Sequence, residues 1–207
     1  MRGRPILSLA AATGLLFALA LPPPSATARD LAVQIEEVRR LVLEKNFVTA
    51  LEDLKFIAQQ IQDLRLAEVQ PLFPEPPPGW ETAPAGRTSR EGESWSRRLV
   101  VRKTYLPESG IGQVEIIYDF FSPLIPAISI SLNPAYLAGD PPAEAIEFPD
   151  APGRLRFNPD TGEGELVLIL DNRILVTVLG RGLPNRSALR DFARLVSYPV
   201  LKAFTPP

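Results

Sequence analysis

Side chains able to do chemistry are scarce in this sequence, and two absences decide more than most residues present. The chain has no His and no Cys. Thiol nucleophiles, disulfides, imidazole acid–base chemistry, Ser-His-Asp triads and most zinc or copper sites are thereby excluded. Any catalysis left would use carboxylates, Lys, Tyr or a Ser–Lys pair. Asp160, Glu163 and Glu165 stand among glycines, where clustered oxygens could hold calcium. Their spacing departs from a calcium-binding loop, and a hairpin turn accounts for it. Paired Asp and Glu could also hydrolyse envelope glycans, yet no two carboxylates single themselves out at strand ends. The reading is therefore no catalytic residue, no cofactor, no metal site, and a protein that is not an enzyme.

The residues that do form a pattern are apolar. Ala50, Leu51, Leu54, Ile57, Ala58, Ile61 and Leu64 recur at i, i+3, i+4, i+7 over four turns. Ala50, Leu51, Leu54, Ile57 and Ile61 are the candidate partner face, able to bind a protein or a second copy of the chain. The helix carrying them starts at about Phe47 and ends before Pro71. A preceding helix has Asp30 as its N-cap, Leu31, Ile35, Val38, Leu41 and Val42 at helical spacing, and Asn46 able to take a left-handed conformation at its end. The short connection makes the two an antiparallel hairpin. Two helices this small hold no core alone, so the stripe must pack on the domain, a second copy or a partner.

Residues 1–28 read as a secretory signal peptide. Arg2 and Arg4 are basic, Ile6–Leu21 is apolar, Pro22-Pro23-Pro24 breaks the helix, and Ala26-Thr27-Ala28 offers small residues for cleavage before Arg29. The apolar run is short for a membrane span. With no Cys a lipoprotein anchor is impossible, and no twin-arginine pair is present. The general secretion route to a periplasmic or extracellular location is expected, with no stable membrane insertion after cleavage. Lys and Arg number 22 against 24 Asp and Glu. Signal removal deletes two cations and leaves the rest mildly acidic, which argues against nucleic acid as a partner.

Prolines, 23 in all, punctuate the rest. Leu72 to Trp80 reads as an extended polyproline-like strap with Trp80 as a core anchor. Residues 81–97 read as a mobile loop, and Arg87, Arg90, Arg97, Arg98, Arg102 and Lys103 as a basic run able to meet an anionic surface. Strands are predicted over Leu99–Leu106 and Gln113–Phe120. Ser122-Pro123 starts a short broken helix through Leu137 that packs on the sheet or, if exposed, offers a membrane or partner patch. Strands follow at about 144–148, 153–157, Glu165–Leu170 and Ile174–Leu179, the last two joined by an Asp171-Asn172 turn. Asn185 or Ser187 caps a final helix with Leu189, Phe192, Ala193 and Val196 inward. Asn185-Arg186-Ser187 is formally a glycosylation sequon. The fold class is α+β: a helical hairpin (29–70), a Pro-rich strap and loop (71–97), then a mainly antiparallel sheet covered by one short broken helix and one C-terminal helix (98–207).

Glu44-Lys45-Asn46-Phe47-Val48-Thr49-Ala50-Leu51-Glu52-Asp53-Leu54 resembles the middle of one tetratricopeptide repeat. Three segments carry a wider resemblance: Ala50-Leu51-Glu52-Asp53-Leu54, Phe73-Pro74-Glu75-Pro76-Pro77-Pro78-Gly79-Trp80, and Asn172-Arg173-Ile174-Leu175-Val176-Thr177-Val178. With the order of elements, they make the chain resemble a family of uncharacterised exported bacterial proteins. That resemblance implies a class and no mechanism. The domain is also similar to PsbP-like domains, which implies a non-catalytic binding module by fold analogy. The functions to weigh are a non-enzymatic periplasmic adaptor working through the hairpin, a carrier of a small ligand or lipid over residues 123–137, and a carboxylate-based envelope hydrolase.

Overall fold

The computed structural model describes residues 28–84, 97–137, 142–148 and 151–205. Residues 1–27 of the expected signal peptide and the loop arginines Arg87 and Arg90 lie outside them. Among the described residues, six helices and a seven-stranded antiparallel sheet make an α+β fold, with the helix pair preceding the sheet and the C-terminal helices packed on it.

The hairpin comprises α1 (Ala28–Leu43) and α2 (Phe47–Val69). Helix α1 starts earlier than its sequence suggests. Asp30 lies inside the first turn, where its charge meets the helix dipole, rather than at the cap. The left-handed residue between the helices is Lys45 (φ 62°), while Asn46 stays at φ −84°. The chain reverses one residue sooner than the Asn preference implies, and Asn46 is left to precede α2. Leu31, Val38 and Leu41 of α1 close on Ala50 and Ile57 of α2, with Leu54 and Leu64 at the margin. Among the described residues no helix is long and apolar enough to cross a membrane.

Helix α2 ends inside the main core. Val69 is fully buried there, and a 3-10 turn, Gln70–Leu72, leads into the strap. The strap is clipped to the sheet rather than spanning open solvent. Tyr105 Oη donates to the Pro74 carbonyl (2.8 Å), Tyr118 Oη to that of Leu72 (3.2 Å), and Lys103 Nζ also to Pro74 (3.3 Å). Phe73 stacks on Tyr118 with centroids 4.2 Å apart. Trp80 is the anchor the sequence suggests, meeting Phe192 edge-on at 4.9 Å. Beyond it the chain departs from a loop: Trp80–Thr82 is an edge strand, β1, pairing with Pro107 to Tyr105. Once the indole is seated, the next two residues lie along a neighbour with free backbone groups to satisfy.

The other strands are β2 (Leu99–Pro107), β3 (Gln113–Phe120), β4 (Ala143–Phe148), β5 (Ala151–Asn158), β6 (Glu163–Leu170) and β7 (Ile174–Arg181), in spatial order β1-β2-β3-β7-β6-β5-β4. The pairing of β3 with β7 joins an N-terminal hairpin to a four-strand meander. Asp171 and Asn172 both take positive φ (48° and 53°), the twist-matching turn their residue types favour. Alternate residues sort to two faces. Tyr118, Phe120, Leu168, Val176 and their row-mates form the main core with the end of α2 and the C-terminal helices. Val167, Ile169 and Leu175 point the other way, beneath Ile125 of α3 (Ile125–Ser131). Both sheet faces near β6 and β7 are thus covered, as their near-continuous apolar runs require.

Residues 123–137 do form a broken helix on the sheet. It starts at Ile125, however, and α4 (Pro134–Leu137) follows as a separate turn. Ser122 sits one turn ahead of α3 because its hydroxyl is drawn to Asp119 (2.7 Å) while accepting the Leu124 N–H. The single C-terminal helix is two, α5 (Ser187–Leu195) and α6 (Tyr198–Phe204), broken at Val196 (ψ 128°) with Pro199 in the first turn of α6. Leu189, Phe192, Ala193 and Val196 are buried as their spacing indicates. Leu189 fits because Gly164 and Gly180 face each other across β6 and β7. A Cβ on Gly164 would lie 2.6 Å from Leu189 Cδ1, and one on Gly180 2.2 Å from Leu183 Cδ1.

Candidate functional site

The five residues of the candidate partner face do not share one environment. Ala50 (2% exposed) and Ile57 (4%) are in the α1–α2 seam, Leu54 is half-buried at its edge, and Leu51 (64%) and Ile61 (41%) are exposed. A stripe this wide turns its centre to the partner helix and its margin to solvent. Advancing about 100° per residue, Ile35 and Val42 of α1 fall on the same side as Leu51, Leu54 and Ile61, and both are exposed. Helical spacing alone groups Ile35 and Val42 with Leu31, Val38 and Leu41 without separating seam from margin. Their seven-residue separation, offset from Leu31 and Val38, is the signal that distinguishes them. Nine of the fifteen exposed large apolar side chains among the described residues belong to the hairpin, so exposed apolar surface concentrates on these two helices.

The opposite side of the hairpin has another chemistry. Gln34 and Glu37 of α1 and Asp53, Phe56 and Ile57 of α2 line a groove of about 240 Å³. Phe56 is 60% exposed. Arg40 hydrogen-bonds Glu37 and Glu44, and that contact holds the Glu37 carboxyl below the usual range. The apolar side instead carries Arg39 and Arg65, the latter reaching the Arg97 carbonyl (3.2 Å) where the hairpin meets the sheet.

Glu163 and Glu165 do come to one place. With Arg156, Asn158, Leu179 and Arg181 they line a cleft of about 380 Å³ on the sheet face beyond α3. Both issue from β6, side by side at a two-residue spacing, and Arg154 holds Glu165 at 3.2 Å. Glycoside hydrolysis needs its two carboxyls across the scissile bond from each other, an arrangement one strand does not supply. Asp160 lies in the turn after β5, with its N–H on Asn158 Oδ1. Among the described residues no three carboxylates converge on a point.

The described part of the basic run is engaged internally. Arg97 stacks over Phe121 (4.4 Å), Arg98 makes a bidentate pair with Asp119, and Lys103 joins the strap. Asn185 of the sequon accepts from the Ser187 N–H (2.9 Å) at the start of α5. Over 123–137, Ile125 is buried on Val167, Ile169 and Leu175, while Leu124, Ile130 and Tyr136 are exposed. No family model, curated protein or solved structure matches the chain.

Proposed function

We propose that this protein is a non-enzymatic, exported binding module that engages another protein through its helical hairpin. The observation that carries the reading is the side made by Ile35, Val42, Leu51, Leu54 and Ile61. It is apolar surface held out by a hairpin whose own seam is already filled. An exposed apolar patch on a folded protein marks an interaction site more often than a scaffold. The sheet domain serves as the mount, and its interior is closed by aromatic and aliphatic packing. A ligand carrier would need space between residues 123–137 and the sheet, where Ile125, Val167, Ile169 and Leu175 are packed together. Export by the general secretion route follows from residues 1–28, and cleavage before Arg29 would remove only the first residue of α1.

The test is in-cell crosslinking of tagged protein beside Leu51→Glu/Ile61→Glu, which alters exposed positions only. Loss of a captured partner in the double variant, with unchanged circular dichroism, supports an adaptor. Capture of nothing but a second copy would replace it with self-association. Equal capture by both proteins would remove the hairpin's apolar side from the account. N-terminal sequencing of the accumulated protein checks export, with Arg29 as the expected first residue.

A further inference from the structure

The groove on the other side of the hairpin differs in kind from the apolar side. On this flank α1 contributes Glu37 and Glu44 and α2 contributes Asp53, at positions set by the helical repeat. Arg40 is hydrogen-bonded to both Glu37 and Glu44. Among the described residues these three carboxylates outnumber that guanidinium, which leaves the flank anionic. The groove floor is Ile57, and Phe56 stands beside it with most of its ring in solvent.

Acceptors at the walls and an apolar floor describe the complement of one kind of occupant. Lys and Arg side chains are donors only, and a third helix lying between two antiparallel helices is a common way to complete such a pair. We infer that the groove between Glu37 and Asp53 docks a cationic amphipathic helix of a partner protein, its apolar residues on Ile57 and Phe56 and its Lys or Arg side chains on Asp53 and Glu37. The inference deepens the hairpin reading and rests on it only in taking the hairpin as the binding element, since it uses the side away from Leu51 and Ile61.

The experiment titrates the purified protein with two labelled synthetic amphipathic helices, one of Leu and Lys and one of Leu and Glu, read by fluorescence anisotropy. The Leu/Lys helix should bind and the Leu/Glu helix should not. Asp53→Lys should weaken the Leu/Lys helix by roughly tenfold or more and let the Leu/Glu helix bind. Phe56→Ala should weaken the Leu/Lys helix without such a swap. Leu51→Glu/Ile61→Glu should leave it unchanged. No binding of the Leu/Lys helix, binding indifferent to Asp53→Lys, or loss in the Leu51→Glu/Ile61→Glu protein would each overturn the inference. Circular dichroism of every variant separates these results from unfolding. Because the two sides are changed separately, failure of the groove and failure of the apolar side are read independently.

Discussion

Asp119 is 5% exposed and accepts from Arg98 Nε and Nη2 (2.9 and 2.8 Å) and from Ser122 Oγ (2.7 Å). Its removal takes away the acceptor that a guanidinium and a hydroxyl share. Asp119→Ala should lower stability by about 2–4 kcal/mol, toward the lower end because Arg98 keeps 31% of its side chain in solvent. A lower urea midpoint at unchanged slope is the check. The tyrosines set the alkaline limit. Burial pushes the hydroxyls of Tyr105, Tyr118 and Tyr198 well above the ordinary phenol range. The unfolded chain, with ordinary phenols, gives up those protons first. Stability is therefore full below about pH 10 and falls as the pH rises through and beyond it. Tyrosinate absorbance should rise together with loss of fold for three of the four tyrosines.

At the scale of elements, neighbouring positions on α2 should behave oppositely. Leu51→Asp, on exposed surface, should change stability by no more than about 0.5 kcal/mol. Ile57→Asp buries an unpaired charge in the α1–α2 seam and should unfold the hairpin while the sheet persists. Far-ultraviolet circular dichroism against near-ultraviolet tyrosine and Trp80 signals tells these apart. These elements also mark how far the sequence could be read. The stripe beginning at Phe47, the alternation over Gln113–Phe120 and the Asp171-Asn172 turn are local signals, and the structure places each element there. The misses depend on particular side-chain contacts that no hydrophobic period encodes. Edge strand β1 exists because Trp80 finds Phe192. Ser122 is diverted from capping α3 by Asp119. Which margin of a wide apolar stripe stays in solvent depends on the offset of the facing helix, so Leu51 and Ile57 look alike in sequence and differ fully in place.

For the whole molecule, the uneven burial implies uneven opening. Strands β6 and β7 are buried on both sides and β3 lies between β2 and β7 with one face in the main core, whereas α1 and the first half of α2 rest on a five-residue seam. Amide exchange should therefore be slowest in Ile116–Tyr118, Leu166–Leu170 and Val176–Val178. It should be fastest among helical residues in α1 and Phe47–Leu54, with protection rising along α2 toward Val69. Mass-resolved exchange should report this gradient. The way α2 ends has a mechanical meaning. Its 23 residues span about 35 Å, one end in solvent and the other fixed beside Tyr118 by Val69, Phe73 and the carbonyls that Tyr105 and Tyr118 hold. That is a cantilever: a beam anchored at one end and loaded at the other. A partner meeting the tip finds a surface already oriented by its mount, so little rotational freedom is left to lose on association. Whatever strain its arrival places on the beam is delivered to the two tyrosine clips.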